Sequence, residues 1–81
     1  MNTKEKARRY DAQQMVEKFN ALFPVGNKVV LRKTSTKSCP YEEHVVRAEA
    51  FVSGNGDPVC FFNEISGYFS IDKNFIKYPK N

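Results

Sequence analysis

Gly67-Tyr68-Phe69-Ser70-Ile71-Asp72-Lys73-Asn74-Phe75-Ile76-Lys77-Tyr78-Pro79-Lys80-Asn81 is the stretch whose reading decides the fold. A glycine opens a short apolar run, Asp72-Lys73-Asn74 breaks it, and an aromatic and aliphatic run resumes at Phe75. The pattern predicts a strand, one tight 3-10 turn, and a last strand from Phe75 to Tyr78. So short a closing strand needs a partner elsewhere in the chain.

Upstream, Pro58 to about Asn63 reads as a strand joined to the closing region by the turn Glu64-Ile65-Ser66-Gly67. Ser53-Gly54-Asn55-Gly56-Asp57 is a hairpin signal, because Asn-Gly accepts the positive φ angles of a primed turn. Before it, His44 to Val52 alternates, with Val46, Ala48, Ala50 and Val52 on one face and Val45, Arg47, Glu49 and Phe51 on the other. Lys28 to Lys33 is the first strand, with Val29 and Leu31 toward the core. Thr34 to Tyr41 has no periodicity and is expected to be a long loop. The final strand would pair with the first and remove both free edges.

A helix precedes these strands. Asp11 can cap it, Gln14 stands three residues on as the return partner of a capping box, and Tyr10 and Met15 occupy the staple positions. Ala12, Met15, Val16, Phe19, Leu22 and Phe23 then form one apolar stripe at helical spacing. Pro24 ends the helix, which is expected over residues 11–23, and Val25-Gly26-Asn27 turns the chain into the first strand. A start at Thr3 is the alternative, but the Asp11 cap favours a flexible basic tail over residues 1–10. The expected fold is mainly β with one N-terminal α-helix: a single domain over residues 11–81, built as a five-stranded antiparallel SH3-like barrel.

Composition bounds the function. With 81 residues the chain forms one domain, and a domain of this size buries only about 60% of the surface its unfolded chain exposes. Little is left for a deep catalytic cleft. Residues 1–9 carry Lys4, Lys6, Arg8 and Arg9 against Glu5, so most of the net charge of +4 sits at the N-terminus. No apolar run approaches the roughly 20 residues needed to cross a bilayer, and the charged N-terminus is unlike a signal peptide. A cytoplasmic protein without membrane contact is expected.

The reactive groups are few. Cys39, Cys60 and His44 make one ligand fewer than a structural zinc site needs, and a disulfide is not expected in a reducing compartment. Cys39 and His44 lack an orienting third group for nucleophilic catalysis. Glu42 and Glu43 are adjacent on a strand and point to opposite faces. Gly54 and Gly56 belong to a hairpin and precede no helix, so no phosphate loop is present. Neither an enzyme nor a cofactor is expected.

Phe19-Asn20, Pro24-Val25-Gly26 leading to Val29, Val46-Arg47-Ala48, a glycine-containing hairpin before Pro58-Val59, and Ser66-Gly67 together carry a resemblance. Over about residues 19–78 the chain resembles a family of small uncharacterised proteins encoded by bacteriophages, plasmids and other mobile elements. In that family a short helix leads through Phe-Asn and Pro-Val-Gly into an SH3-like barrel. The chain departs from it at Val30-Leu31, where the family places an aromatic pair, and at Phe51, where it places Trp. The resemblance implies a mobile-element origin and an accessory or host-directed role, without implying a reaction. The plasmid-borne type II dihydrofolate reductase shares that architecture, but its Val-Gln-Ile-Tyr motif is replaced here by Phe69-Ser70-Ile71-Asp72.

On such a barrel the first long loop, the hairpin and the short turn surround a shallow groove. Tyr41, Asn55, Asp57, Tyr68, Asn74 and Tyr78 are the residues expected there, with Tyr41 and Tyr68 exposed. The leading expectation is therefore a non-catalytic module that binds a host or phage protein, for instance to inhibit a defence system. The alternative is a nucleic-acid surface made by Lys28, Arg32, Lys33, Lys37 and Arg47, with Tyr41 to stack on a base. Either a monomer or a small homo-oligomer fits, since the helix stripe or a strand edge offers a self-pairing surface.

Overall fold

The computed structural model describes the backbone of residues 3–79 and the side chains of residues 9–79. Helix α1 spans Thr3–Leu22. It begins at the alternative start rather than at Asp11, so from Thr3 onward the expected tail is helix; residues 1–2 lie outside the described residues. Good helix formers from Lys4 to Arg9 carry it through the Asp11 cap signal. Ala12, Val16 and Phe19 are buried as the stripe requires, whereas Leu22 is exposed. Among the described residues, no helix is long and apolar enough to cross a membrane.

The strands are β1 (Lys28–Leu31), β2 (Glu42–Val45), β3 (Phe51–Val52), β4 (Pro58–Phe61) and β5 (Tyr68–Ser70). They form two separate antiparallel sheets, β1-β2 and β3-β4-β5, and no closed five-stranded barrel. Among the described residues, the bridge between Val46 and Phe62, with Arg47 N–H to Phe61 O and Asn63 N–H to Val45 O both at 2.9 Å, links the two sheets.

Two local causes account for the departure. The strand expected from His44 to Val52 is broken between β2 and β3 because side chains capture its backbone groups. Asn20 accepts from the Ala50 N–H at 2.8 Å and donates to the Ala50 carbonyl at 3.2 Å. The Cys60 thiol donates to the Ala48 carbonyl at 3.2 Å. Backbone groups satisfied this way have no need of a ladder partner.

The second cause lies in the closing segment. Residues 75–78 make one bridge, Ile76 to Leu31, flanked by Arg32 N–H to Phe75 O and Lys77 N–H to Val30 O, both 2.9 Å. The Asp72 carbonyl accepts from Phe75 and Ile76, and its carboxylate accepts from the Asn74 N–H at 2.8 Å. This is a single hydrogen-bonded turn with one i+3 and one i+4 bond, standing where the 3-10 turn was expected, and its capture of the Ile76 N–H leaves too little free chain for a fifth strand of the kind expected.

The core gathers Val16, Phe19, Val29, Leu31, Val46, Ala50, Cys60, Phe62, Ile71 and Ile76 between the helix and both sheets. The bend after Pro24 is fixed by Gly26 N–H to Val46 O and Val46 N–H to Asn27 O, both 2.9 Å. Gly26 sits at φ 95°, where an L side chain would be strained. That explains why Pro24-Val25-Gly26 reads as a unit: it docks the end of the helix onto the chain just after β2.

Candidate functional site

The outer face of the β3-β4-β5 sheet carries three aromatic rings in mutual contact. Phe61 pairs with Tyr68 across β4 and β5, while Phe51 pairs with Val59, so Phe51, Val59, Phe61 and Tyr68 share one face. The Phe51 and Phe61 rings stack at 5.7 Å, and Tyr68 meets both edge-on at 5.9 and 6.2 Å. The Arg47 guanidinium lies over Phe61 at 5.2 Å from its centre. Val59 is 3% exposed, so the rings roof it, yet Phe51 and Tyr68 keep 36% and 49% of their own surface in water.

A second surface forms on the outer face of the β1-β2 sheet. Register there pairs Lys28 with Val45 and Leu31 with Glu42; one further step brings Arg32 opposite Tyr41. The guanidinium lies 5.1 Å from the Tyr41 ring centre and the Lys77 ammonium 5.9 Å from it. Arg32 also donates through Nε to the Asn74 carbonyl at 2.9 Å and through Nη1 to the Thr36 carbonyl at 3.3 Å. Two carbonyls and a ring thus hold this cation in one orientation.

The expected groove residues do not come together as one site. Tyr41 and Asn74 meet through Arg32, but Tyr68 belongs to the other sheet. Asp57 stays at the tip of the 53–57 hairpin, where its N–H donates to Ser53 Oγ at 3.2 Å. Tyr78 is half-buried against Phe19 and Phe23, and its hydroxyl donates to the Ile71 carbonyl. Burial, aided by the nearby Asp72 charge, pushes that phenol well above the ordinary tyrosine range.

The basic set divides as well. Arg32 reaches Tyr41, Arg47 covers Phe61, and Lys28 lines a hollow with Glu43, His44, Asn63 and Glu64. Lys33 and Lys37 are exposed. Phe51, Phe61 and Lys77 were absent from the expected sets. Alternation places Phe51 on the same face as Arg47 and Glu49, and the charges on that face are the signal that could have found it.

The remaining polar groups do not join either surface cluster, and His44 Nε2 is buried without a hydrogen-bond partner among the described residues. His44 is buried, its Nδ1 donating to the Asn63 carbonyl at 3.1 Å, with Nε2 lying 3.5 Å from the Glu42 carboxylate. Cys39 instead contacts Thr34, whose hydrogen bonds lower the thiol pKa, helped weakly by the Arg32 charge. Cys60 is fully buried, and desolvation raises its thiol to about 11. Among the described residues no group of three or more His, Cys, Asp or Glu is placed to hold a metal ion. No protein-family model, curated protein or solved structure matches the chain.

Proposed function

We propose that the chain is a non-catalytic interaction module that binds a protein through the outer face of the β3-β4-β5 sheet. The carrying observation is the contact cluster of Phe51, Phe61 and Tyr68 with Arg47 laid across it. Tyrosine and arginine are among the side chains most enriched at interface hot spots, and phenylalanine is enriched at interfaces generally, its rigid ring burying a large area at low entropic cost. Here they form one patch that keeps two of its rings substantially wet. Arg47 supplies a cation at the apolar patch, so the complementary ligand is a segment with apolar side chains beside a carboxylate. The resemblance to mobile-element proteins points to a host or phage protein as that partner.

The test is affinity capture with the wild-type chain beside Tyr68→Ala and Arg47→Ala variants, followed by calorimetry with the purified partner. Truncating a hot-spot residue costs about 2 kcal/mol or more of binding, so a partner held by wild type is expected to be lost by both variants. A partner retained equally by all three chains would place the interface elsewhere.

A further inference from the structure

We infer that the outer face of the β1-β2 sheet is a second binding site, which takes single-stranded nucleic acid on the Arg32, Tyr41 and Lys77 cluster. This inference rests on different residues from the protein-binding surface and stands or falls separately. Non-specific recognition of a single strand needs an exposed ring for a base and cations spaced along the backbone. Tyr41 is 42% exposed and has two cations within 6 Å of its ring centre, at 5.1 and 5.9 Å.

The fixed position of Arg32 separates this cluster from ordinary solvated charge. Its guanidinium is anchored by the Asn74 and Thr36 carbonyls and laid against the ring, so little further ordering is needed when a phosphate arrives. The backbone bond from Lys77 to Val30 brings the closing segment to the same sheet and delivers the second cation. Lys33 and Lys37 are both exposed and follow in the chain after β1, within reach of a single strand that extends past the ring.

Acidic groups bound the surface. Glu43 stands opposite Val30 on the same face, and the Asp72 carboxylate is occupied by the Asn74 N–H. A base stacking on Tyr41 would displace the Lys77 ammonium, the more distant of the two cations, toward a phosphate. Arg32 would keep its place, since a guanidinium plane itself serves as a stacking surface.

The probe is a fluorescein-labelled oligothymidine of about 15 nucleotides, followed by anisotropy from about 50 to 200 mM salt. With Arg32, Lys33, Lys37 and Lys77 neutralising phosphates, log affinity should fall against log salt with a slope of about −3. Tyr41→Ala should weaken binding by about tenfold, and Tyr41→Phe should restore most of it. Lys77→Ala should reduce the steepness of the slope by about 1. Circular dichroism confirms that each variant is folded, and the Lys77 variant tests the site without touching the ring.

Three results would overturn the assignment. One is no binding of the oligothymidine at about 50 mM salt. Another is binding unchanged by Tyr41→Ala and Lys77→Ala but lost with Tyr68→Ala, which would move nucleic acid to the other sheet. The third is a duplex of equal length bound as tightly, with the same loss on Tyr41→Ala, which would leave no role for an unstacked base.

Discussion

Phe61 and Phe62 are neighbours in the chain and do opposite work. Phe62 is fully buried and meets Phe19 edge-on at 6.1 Å in the core, while Phe61 turns outward to stack on Phe51 beneath Arg47. Both regions are aromatic clusters of similar internal geometry, differing mainly in what covers them. The inner cluster is sealed by the helix and both sheets; the outer one is covered only by its own rings and the Arg47 guanidinium. Rings whose surface is already spent on the core hold the fold, and rings that still face water have surface left for a ligand.

The sharpest way to break this contrast is to truncate one ring of each kind. Phe62→Ala should cost about 3–5 kcal/mol in urea unfolding, the price of removing a fully enclosed phenyl and leaving a cavity. In a domain whose whole stability is about 5–15 kcal/mol, that variant would be marginally folded. Phe61→Ala should cost distinctly less. Equal losses would mean that the outer cluster is a second core and not a surface.

Next in size is an alkaline effect confined to the inner region. Burial holds the Cys60 thiol protonated, raising its pKa from 9.0 to about 11, and raises the Tyr78 phenol in the same direction. The folded state therefore binds these protons more tightly than the unfolded state. The Cys60 contribution is intact below about pH 9 and is lost as pH climbs through 11, while that of Tyr78 starts from the higher ordinary phenol value and is lost at more alkaline pH. Discounted for solvent screening, the Cys60 share amounts to at most about 2 kcal/mol, visible as a falling urea midpoint between pH 8.5 and 11 that Cys60→Ala makes shallower, with the Tyr78 phenol leaving a residual slope at the alkaline end. A midpoint unchanged over that range would show the thiol to be hydrated.

Third is the join between helix and sheet. Asn20 makes two hydrogen bonds to the Ala50 backbone, so Asn20→Ala leaves both a buried N–H and a carbonyl without a partner. About 1–3 kcal/mol of destabilisation should follow in urea unfolding. The loss should be accompanied by faster amide exchange at Ala50, because that N–H then has no acceptor.

The same clamp explains what was legible in the sequence and what was not. Helical spacing of Ala12, Val16 and Phe19, the inward Val29 and Leu31, and the Ser53 to Asp57 hairpin are local patterns, and each appears in the structure. The break between β2 and β3 is not local. Alternation persists through it, with Val46 and Ala50 buried and Arg47 and Glu49 exposed, so nothing nearby in sequence reveals that Asn20 and Cys60 have taken the ladder's hydrogen bonds. The expected barrel fails for that reason, and because the Asp72 turn shortens the closing segment to a single bridge.

Candidate sites divided along the same line. Tyr41 and Tyr68 were read correctly as exposed. Their companions depend on cross-strand register, which places Phe51 and Phe61 with Tyr68, and Arg32 with Tyr41. A single sequence carries the alternation within each strand but not the pairing between strands.

The smallest stability effect should come with the largest functional one. Tyr68 sits on the edge strand β5 with about half its surface in water, and its two edge-on contacts are with rings that keep each other's company without it. Such cross-strand pairs are worth roughly 0.2–1 kcal/mol, so Tyr68→Ala should lower the unfolding free energy by less than about 1 kcal/mol. If the outer cluster is the protein-binding surface, the same variant should lose its partner while remaining folded. A Tyr68→Ala chain that unfolds as readily as Phe62→Ala would erase the distinction between the clusters. One that keeps both its stability and its partner would leave the inner and outer rings different in place only, and the binding surface would have to be sought on the β1-β2 sheet.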